Sequence, residues 1–244
     1  MIDYNPPGSC PKNKCAKDQD FFDHWATYQK AMDLNYLAHR QAYARLELFI
    51  DEHLKQPFTL LDLGCGDASF ISKVLGRTCV ARYHGVDLSA PAVEKAKKNI
   101  ASVACKSLFT VADFSTFVRG SHEPVDLIWI GLSFHHLELA GKARFVADCR
   151  EILRECGFLL MYEPMRRENE TREEYLERWY GVCRSRWTGF EPQERDQIHE
   201  HISQSDFPET FSTLRKIGKE SGFRRVERER IDPCGIHEWV CFYG

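Results

Sequence analysis

The length, composition and charge of the chain exclude several classes of protein. It has 244 residues, of which 43% are hydrophobic and 12% aromatic, and this apolar share is too high for a disordered protein. Its 33 basic and 36 acidic residues leave a formal net charge of −3, whereas nucleic-acid-binding proteins usually carry a basic excess. No run approaches the roughly 18 apolar residues that span a bilayer, and no apolar signal segment is found near Met1. We therefore expect a cytoplasmic protein with reduced cysteines and with neither a membrane nor a nucleic-acid partner.

The first 55 residues carry no strand signal. Residues 1–19 contain three prolines and little periodicity, which predicts a flexible leader. Cys10 and Cys15 have a spacing that occurs in zinc sites, but no second close Cys/His pair repeats it, so we prefer a plain tail. Residues 20–55 place aromatic side chains at helical spacing, which predicts two helices broken near residues 33–35.

Strand and helix signals alternate over the remaining residues, 56–244, which we predict to form one domain. Ser89 suits the N-cap of a helix, and Gly157 suits a left-handed cap after a helix over 141–155. Strands that are apolar on both faces indicate a parallel sheet covered by helices. A last helix over 209–221 precedes two antiparallel strands. The predicted strands lie at 58–63, 83–88, 108–112, 125–131, 158–162, 225–231 and 238–243.

One long segment, at about 163–205, interrupts this alternation. Tyr175, Trp179, Cys183 and Trp187 follow one another at intervals of four residues, which is typical of one face of an amphipathic helix. The segment is too long for a simple connection, so we predict a helical insertion.

Two glycines mark the turn between the first predicted strand and the helix after it. Gly64 and Gly66 let the backbone bend tightly and come close to a ligand, and the amides of the following helix point toward it. Asp87 ends the second strand, 21 residues after Gly66, where a carboxylate can accept both hydroxyls of a ribose. The alternative for Asp87 is a favourable charge at the start of the next helix. The turn and the spacing together favour a nucleotide-type cofactor.

These residues resemble the motifs of the class I S-adenosylmethionine-dependent methyltransferases of the small-molecule type. The family's acidic-x-Gly-x-Gly-x-Gly turn reads Asp62-Leu63-Gly64-Cys65-Gly66-Asp67-Ala68, with Ala68 in place of the third glycine. An NAD-binding fingerprint would need glycine at position 69, which is Ser69. The resemblance covers about 58–162 and the tail 222–243. It implies a Rossmann-like α/β fold with a seven-stranded, mostly parallel sheet and one antiparallel terminal strand, flanked by helices, with a helical lid.

The resemblance also implies the cofactor, S-adenosylmethionine, its product S-adenosylhomocysteine (SAH), and their contacts. Asp62 would hold the methionine amino group, Asp87 would bind the ribose, and Asp113 would meet the adenine amino group, unless Asp113 is a plain turn residue. Leu88 and Phe114 would lie against the adenine ring. The full set implied is Asp62, Gly64, Gly66, Asp87, Leu88, Asp113, Phe114, Gly131 and Leu132.

Two histidines that follow the fourth strand are candidates for proton removal from the methyl acceptor. His135 or His136 would serve as the base, since histidine titrates near neutrality. Glu163, at the end of the fifth strand, is an alternative base or substrate anchor. The competing interpretation is that the histidines cap the next helix and that Glu163 forms a salt bridge.

The nature of the methyl acceptor is inferred from what the sequence lacks and from its additions to the core. No Asn/Asp-Pro-Pro-aromatic tetrapeptide or paired-glutamate loop follows the fourth strand, and no acidic cluster predicts a metal. We therefore predict a small aromatic or acidic metabolite, methylated on oxygen or nitrogen. A protein or RNA target and a non-catalytic cofactor-binding module remain alternatives, and no oligomeric state is predicted. The predicted lid residues are Tyr28, His39, Arg40, Tyr175, Trp179 and Trp187, for which ordinary core packing is the competing interpretation.

Overall fold

A computed structural model describes residues 26–120 and 123–244. The leader predicted at residues 1–19 lies outside these residues, and so does the zinc site considered for Cys10 and Cys15. The strands are β1 (Phe58–Leu63), β2 (Val80–Asp87), β3 (Lys106–Val111), β4 (Val125–Gly131), β5 (Leu153–Arg166), β6 (Glu209–Thr210), β7 (Arg225–Arg230) and β8 (His237–Tyr243). The helices are α1 (helical at 26–33), α2 (His39–His53), α3 (Ile71–Leu75), α4 (Ala90–Ile100), α5 (Phe114–Phe117), α6 (Leu139–Ile152), α7 (Arg172–Arg186), α8 (Pro192–Ser205) and α9 (Phe211–Glu220).

The strands form one mixed sheet in the order β3-β2-β1-β4-β5-β8-β7, with the short β6 paired to the end of β5. β8 runs antiparallel to both of its neighbours, and the pairs β2–β3, β1–β2, β1–β4 and β4–β5 are parallel. This confirms the predicted Rossmann-like sheet. The strand order reverses between β1 and β4, and ligands of open α/β sheets bind beyond the carboxyl ends of the strands at such a point.

Alternate residues of the central strands pack on opposite faces of the sheet, since side chains of a strand alternate in direction. Leu60 and Trp129 belong to a core that includes Leu46 and Phe49 of α2. Leu61 and the neighbours of Trp129 belong to a second core, on the side covered by α6 and α9. Burying a large apolar side chain contributes about 1.5–3 kcal/mol, so these two cores hold the carboxyl ends of β1 and β4 in place.

Several element boundaries differ from the predictions, most of all around Gly157. The predicted helix over 141–155 ends at Ile152, and β5 begins at the next residue and extends to Arg166. Gly157 is not a left-handed cap: it lies inside β5, where a Cβ would come within 2.9 Å of Leu153 Cδ2 and 3.1 Å of the Asp126 carbonyl. Glycine at this position therefore allows β4 and β5 to approach each other closely. Gly222 adopts the left-handed conformation after α9, with φ of +85°.

The insertion contains two helices, α7 and α8, where the sequence predicted one. Thr171 and Glu174 form a capping box that starts α7. The predicted apolar row is buried in a third cluster, together with Ala31 of α1 and Phe190. Its members are Tyr175, Trp179, Cys183 and Trp187. Among the described residues, no helix has the length and hydropathy needed to cross a membrane.

Candidate functional site

The turn after β1 has the left-handed backbone that its glycines allow. Gly64, Gly66 and Ala68 have φ values of +71°, +53° and +55°. The amides of Gly64 and Cys65 both donate to the Val86 carbonyl, at 2.8 and 3.0 Å, which ties the turn to the end of β2. A Cβ on Gly64 would collide with the Ser133 side chain, so glycine is required for close approach there. Ala68 keeps the third left-handed position at a steric cost of about 1–2 kcal/mol.

Asp87 stands at the end of β2 and bridges this turn to the start of α4. Its Oδ2 accepts a hydrogen bond from the Gly66 amide and its Oδ1 accepts one from the Ser89 amide, both at 2.8 Å. Burial raises the pKa of Asp87, against the lowering effect of these amide bonds. Each carboxylate oxygen has a second lone pair, so two ribose hydroxyls can still donate to it. Leu88 beside it is 73% exposed, which leaves an apolar surface for an adenine ring.

Asp62 lies buried in β1, under the glycine turn. Its Oδ2 accepts a 2.7 Å hydrogen bond from the Tyr83 hydroxyl. Burial raises the pKa of Asp62 to about 7, an effect that the Tyr83 bond opposes and the charge of Asp87 reinforces. A buried carboxyl with such a pKa gains strongly from an arriving cation, which suits the amino group of the cofactor's methionine part.

The remaining predicted cofactor contacts lie at the ends of β3 and β4. Asp113 caps α5 by accepting bonds from the amides of Ser115 and Thr116, and both bonds use Oδ1. Phe114 packs edge-on against Phe145, with ring centroids 5.4 Å apart. Gly131 and Leu132 follow β4, where Gly131 lines the cavity described below and Leu132 has φ of +53°. All nine predicted cofactor residues therefore lie near the carboxyl ends of β1–β4 or in the turns that follow them.

A cavity of about 40 Å³ lies between the glycine turn and the N-terminal helices. His39 and Tyr28 face each other in its lining, with Tyr28 Oη 3.2 Å from His39 Nε2. Burial, aided by the charge of His237, lowers the pKa of His39 to about 3, so its imidazole is neutral. Its Nδ1 and the Tyr162 hydroxyl are buried and find no hydrogen-bond partner among the described residues. The lining residues are Tyr28, Met32, His39, Tyr43, Gly64, Cys65, Gly66, Asp67, Ala68, Ser69, Phe70, Gly131 and Tyr162.

The three predicted catalytic side chains form a separate cluster at the end of β5. Glu163 is buried and accepts bonds from the amides of Ser133, Phe134 and His135, at 2.9, 3.0 and 3.2 Å. Its Oε2 also lies 2.6 Å from His135 Nδ1. Burial would raise the pKa of Glu163, but His135 and the amides of Ser133 and Phe134 hold it below its usual range.

Asp206 lies on the other side of this histidine. Its Oδ2 is 3.6 Å from His135 Nε2 and its Oδ1 is 3.6 Å from His136 Nδ1. Burial lowers the pKa of His135, but Asp206 and Glu163 raise it above its usual range. Burial and the charge of His135 lower the pKa of His136. None of the three predicted catalytic side chains is among the lining residues of the cavity, and their role in proton removal stays a prediction.

The predicted lid residues fall into three places. Tyr28 and His39 line the cavity. Arg40 is exposed and lines a neighbouring groove that shares Met32, Tyr43 and Phe70 with the cavity. Its guanidinium donates to the Asp33 carbonyl at 3.1 Å. Tyr175, Trp179 and Trp187 lie in the buried cluster of the insertion.

Sequence reasoning missed four side chains of the cavity and the acidic partner of the histidines. Met32, Tyr43, Phe70 and Tyr162 come from α1, α2, the turn before α3 and β5, and only the fold brings them together. Their periodicity predicts core positions, which does not distinguish a cavity wall from a filled core. Asp206 directly follows α8, a helix whose end was not predicted.

Comparison with known proteins finds methyltransferases both by sequence and by structure. A family model described as a methyltransferase domain matches residues 60–157. An uncharacterized methyltransferase of Geobacillus kaustophilus is 24% identical over 160 residues, which cover 65% of this chain and 72% of that protein.

Solved structures of similar fold include the plantazolicin methyltransferase BpumL in complex with a monoazolic desmethylPZN analog and SAH. It is 14% identical, with a TM-score of 0.66 over 92% of this chain and 91% of that chain. A complex between the Haloferax volcanii Trm112 methyltransferase activator and a methyltransferase also contains a matching chain, at 16% identity and a TM-score of 0.63, over 92% of this chain and 96% of that one. At these identities the likeness establishes the fold.

Fold, turn and family match agree. The sheet has an antiparallel strand between β5 and β7, and the glycine turn is tied to an acidic residue at the end of β2. The matched residues, 60–157, contain this turn, Asp87 and Asp113. Residues 60–157 therefore form a methyltransferase domain, and the chain has the fold of the class I S-adenosylmethionine-dependent methyltransferases.

Proposed function

We propose that this enzyme transfers a methyl group to an oxygen or nitrogen of a small aromatic metabolite. The observation that carries the proposal is the cavity beside the glycine turn, which is walled by Tyr28, Tyr43, Phe70 and Tyr162. Aromatic walls favour a planar apolar ligand, and a few placed polar groups fix its orientation. An acidic acceptor stays the second candidate: no arginine is among the lining residues of this cavity, but Arg40 and Arg77 line the groove beside it.

Two buried polar atoms of the cavity are suited to orient the acceptor. His39 Nδ1 and the Tyr162 hydroxyl find no hydrogen-bond partner among the described residues, and a buried polar group left unpaired costs about 1–3 kcal/mol. A hydroxyl or amino group of the acceptor would satisfy them. Tyr28 holds the His39 ring at Nε2, so His39 would act as a neutral hydrogen-bonding group.

For methyl transfer, the protein mainly has to align the cofactor with the acceptor and to exclude water from the site. The cofactor supplies an already activated methyl on its sulfonium. The residues here would hold the cofactor at Asp62, Asp87, Gly64 and Gly131 and seat the acceptor against the aromatic residues of the cavity. A dry, aligned site is the main contribution of the protein to such a reaction. His135, His136 and Glu163 remain proposed for proton removal from a hydroxyl acceptor, which an amine or thiolate would not need.

The helices above the cavity are proposed to form a lid that opens for the ligands. The cavity of about 40 Å³ is far below the roughly 300–1,000 Å³ of ordinary ligand sites, so the helices that cover it must move for an acceptor to enter. The insertion packs on the N-terminal helices through a few side chains. Lys30 of α1 pairs with Glu194 at 2.9 Å, and Ala31 lies in the cluster of α7. These are side-chain contacts without a backbone ladder among the described residues, so we propose that they open more readily than the sheet.

A turnover assay tests the proposal. The full chain is incubated with S-adenosylmethionine and a panel of aromatic hydroxy and amino compounds. The masses of the products are measured by mass spectrometry. We expect one class of compound to gain a single methyl group. Methylation of a protein or RNA sample with none of any small compound would support the alternative target class, and cofactor binding without any turnover would support a non-catalytic module.

A pair of tyrosine variants tests whether the cavity is the acceptor site. Tyr162→Phe removes only the hydroxyl that lacks a partner, so it should raise KM for the acceptor at least tenfold with cofactor affinity unchanged. Tyr243→Phe is the matched control, because its hydroxyl bonds Glu227 on the far strand pair. Equal KM values for wild type and Tyr162→Phe would remove the cavity from the acceptor site.

A further inference from the structure

The cluster of His135, His136 and Asp206 has the donor set of a metal site. One ligand atom from each residue lies within 4.8 Å of the others. From this geometry we propose that the cluster binds a divalent transition-metal ion, with Zn²⁺ as the preferred ion, through two imidazoles and one carboxylate. Imidazole and carboxylate ligands suit Zn²⁺ and its first-row neighbours.

Glu163 orients His135 for metal binding. Its Oε2 lies 2.6 Å from His135 Nδ1, and its carboxylate is itself held by three backbone amides. The bond places the proton on Nδ1 and aims Nε2 at Asp206. Histidines that ligate metals almost always donate their other ring nitrogen to a carboxylate, carbonyl or water in this way. The second carboxylate also helps to balance the charge of a divalent ion.

The spacing of the donors is close to what a metal requires. Zinc–nitrogen bonds of about 2.0–2.1 Å in a tetrahedron separate neighbouring ligand atoms by about 3.3 Å. Asp206 Oδ2 lies 3.6 Å from His135 Nε2, and its Oδ1 lies 3.6 Å from His136 Nδ1. His136 Nδ1 also lies 3.3 Å from the Ser205 carbonyl, so an ion would take the place of this contact and draw the three side chains together.

His136 keeps the site accessible. Its side chain is 45% exposed, whereas those of His135 and Asp206 are 9% and 7% exposed. An ion can enter past His136, and its fourth position would face solvent, as in zinc sites with three protein ligands. A metal-bound His135 has no proton on Nε2, so any proton on this nitrogen leaves to solvent when the ion binds, with no change of oxidation state.

The ion would join two parts of the fold that come from distant segments. His135 and His136 follow β4, whereas Asp206 directly follows α8, at the end of the insertion. The Phe207 amide already donates to the His135 carbonyl at 2.8 Å. A bound ion would therefore link the end of the insertion to the segment after β4. Ser133 of that segment lies against Gly64 of the glycine turn.

A titration with Co²⁺ tests the site on the tag-free full chain. Thiols would compete for the ion, so the exposed Cys79 and Cys156 are replaced by serine, together with Cys10 and Cys15. Calorimetry should then show one ion per chain, and the visible spectrum should lack a thiolate-to-cobalt charge-transfer band. Zn²⁺ should displace the Co²⁺.

Two variants assign the ligands, and melting by circular dichroism confirms that each is folded. His136→Ala and Asp206→Asn should each weaken Co²⁺ binding at least tenfold, and His199→Ala, on the insertion but outside the cluster, should not. No binding by the chain with the four serine replacements, or equal affinity with and without His136→Ala in that chain, would overturn the site and leave His135 as a bridge between Glu163 and Asp206. These readouts do not depend on methyl transfer, so they stand apart from the proposed function.

Discussion

Trp187 stacks on Tyr36, with ring centroids 5.2 Å apart and an interplanar angle of 11°. Trp187 ends α7 and Tyr36 lies in the turn between α1 and α2, so this pair joins the insertion to the N-terminal helices. The Tyr36 hydroxyl also accepts a 2.8 Å bond from the Gly189 amide. The N-terminal helices, which line the cavity, and the insertion thus pack together as one layer.

The first prediction concerns the mobility of this layer. Amides of 167–205, after the end of β5, and of 26–45 should exchange hydrogen faster than those of β1 and β4, and they should slow when cofactor and acceptor bind together. Trp187→Ala should speed exchange in the insertion and leave the strands unchanged, because it removes the stacking on Tyr36. Leu139→Ala, an exposed residue of α6, is the control. A segment as protected as the strands, with or without ligands, would instead be a fixed structural layer.

Asp62 should make cofactor binding depend on pH. Its pKa of about 7 in the free protein means that it is largely protonated below that value, whereas the amino group of the cofactor binds the ionised carboxylate. Affinity for SAH should therefore rise as the pH increases from about 5 to about 7, with a proton released on binding. Asp62→Asn should bind more weakly and lose this dependence. Calorimetry in buffers of different ionisation enthalpy measures the proton directly, and zero release at about pH 6 would contradict the assignment.

Replacing Ala68 with glycine should stabilise the fold. Its φ of +55° is costly for alanine and free for glycine, so Ala68→Gly should raise the free energy of unfolding by up to about 1 kcal/mol. Ala101→Gly is the matched control, since Ala101 has φ of −56° at the end of α4, where glycine gains nothing. Urea unfolding compares the two. A loss of stability in Ala68→Gly equal to that in Ala101→Gly would show that the turn does not strain Ala68.

We expect the buried pair of Glu163 and His135 to contribute to the free energy of unfolding, whether or not it takes part in catalysis. Removing one partner of a buried ion pair typically costs about 3–5 kcal/mol, and Glu163 also anchors three amides. Glu163→Gln should therefore lower the unfolding free energy by about that amount, as urea unfolding would show. An unchanged midpoint would mean that the carboxylate charge is dispensable.

The role of the histidines in proton removal can be separated from folding. His136→Ala removes a half-exposed side chain, so the variant should fold and keep cofactor affinity. If His136 is the base, turnover with a hydroxyl acceptor should fall about a hundredfold to ten-thousandfold. Turnover close to that of wild type would exclude His136 as the base.

The sequence predicted the sheet and the cofactor turn well because both depend on local patterns. β1 and β4 have the predicted bounds, and Asp87 meets Gly66 as the spacing suggested. The end of α6 was misplaced because Gly157 has a packing role that resembles a cap signal. The cavity and the contact of His135 with Asp206 could not be predicted, since they join residues that lie far apart in the chain and were read as ordinary core or loop positions.

The most direct test of the cofactor site is calorimetry with SAH on the wild type and on Asp87→Ala. The wild type should bind SAH and not NAD, and Asp87→Ala should bind at least tenfold more weakly, which is about 1.4 kcal/mol, because the ribose hydroxyls lose a charged acceptor. Asp51→Ala, an exposed change on α2, is the control and should bind as wild type does. No heat with SAH, or equal affinity in wild type and Asp87→Ala, would contradict the placement of the cofactor at the ends of β1 and β2.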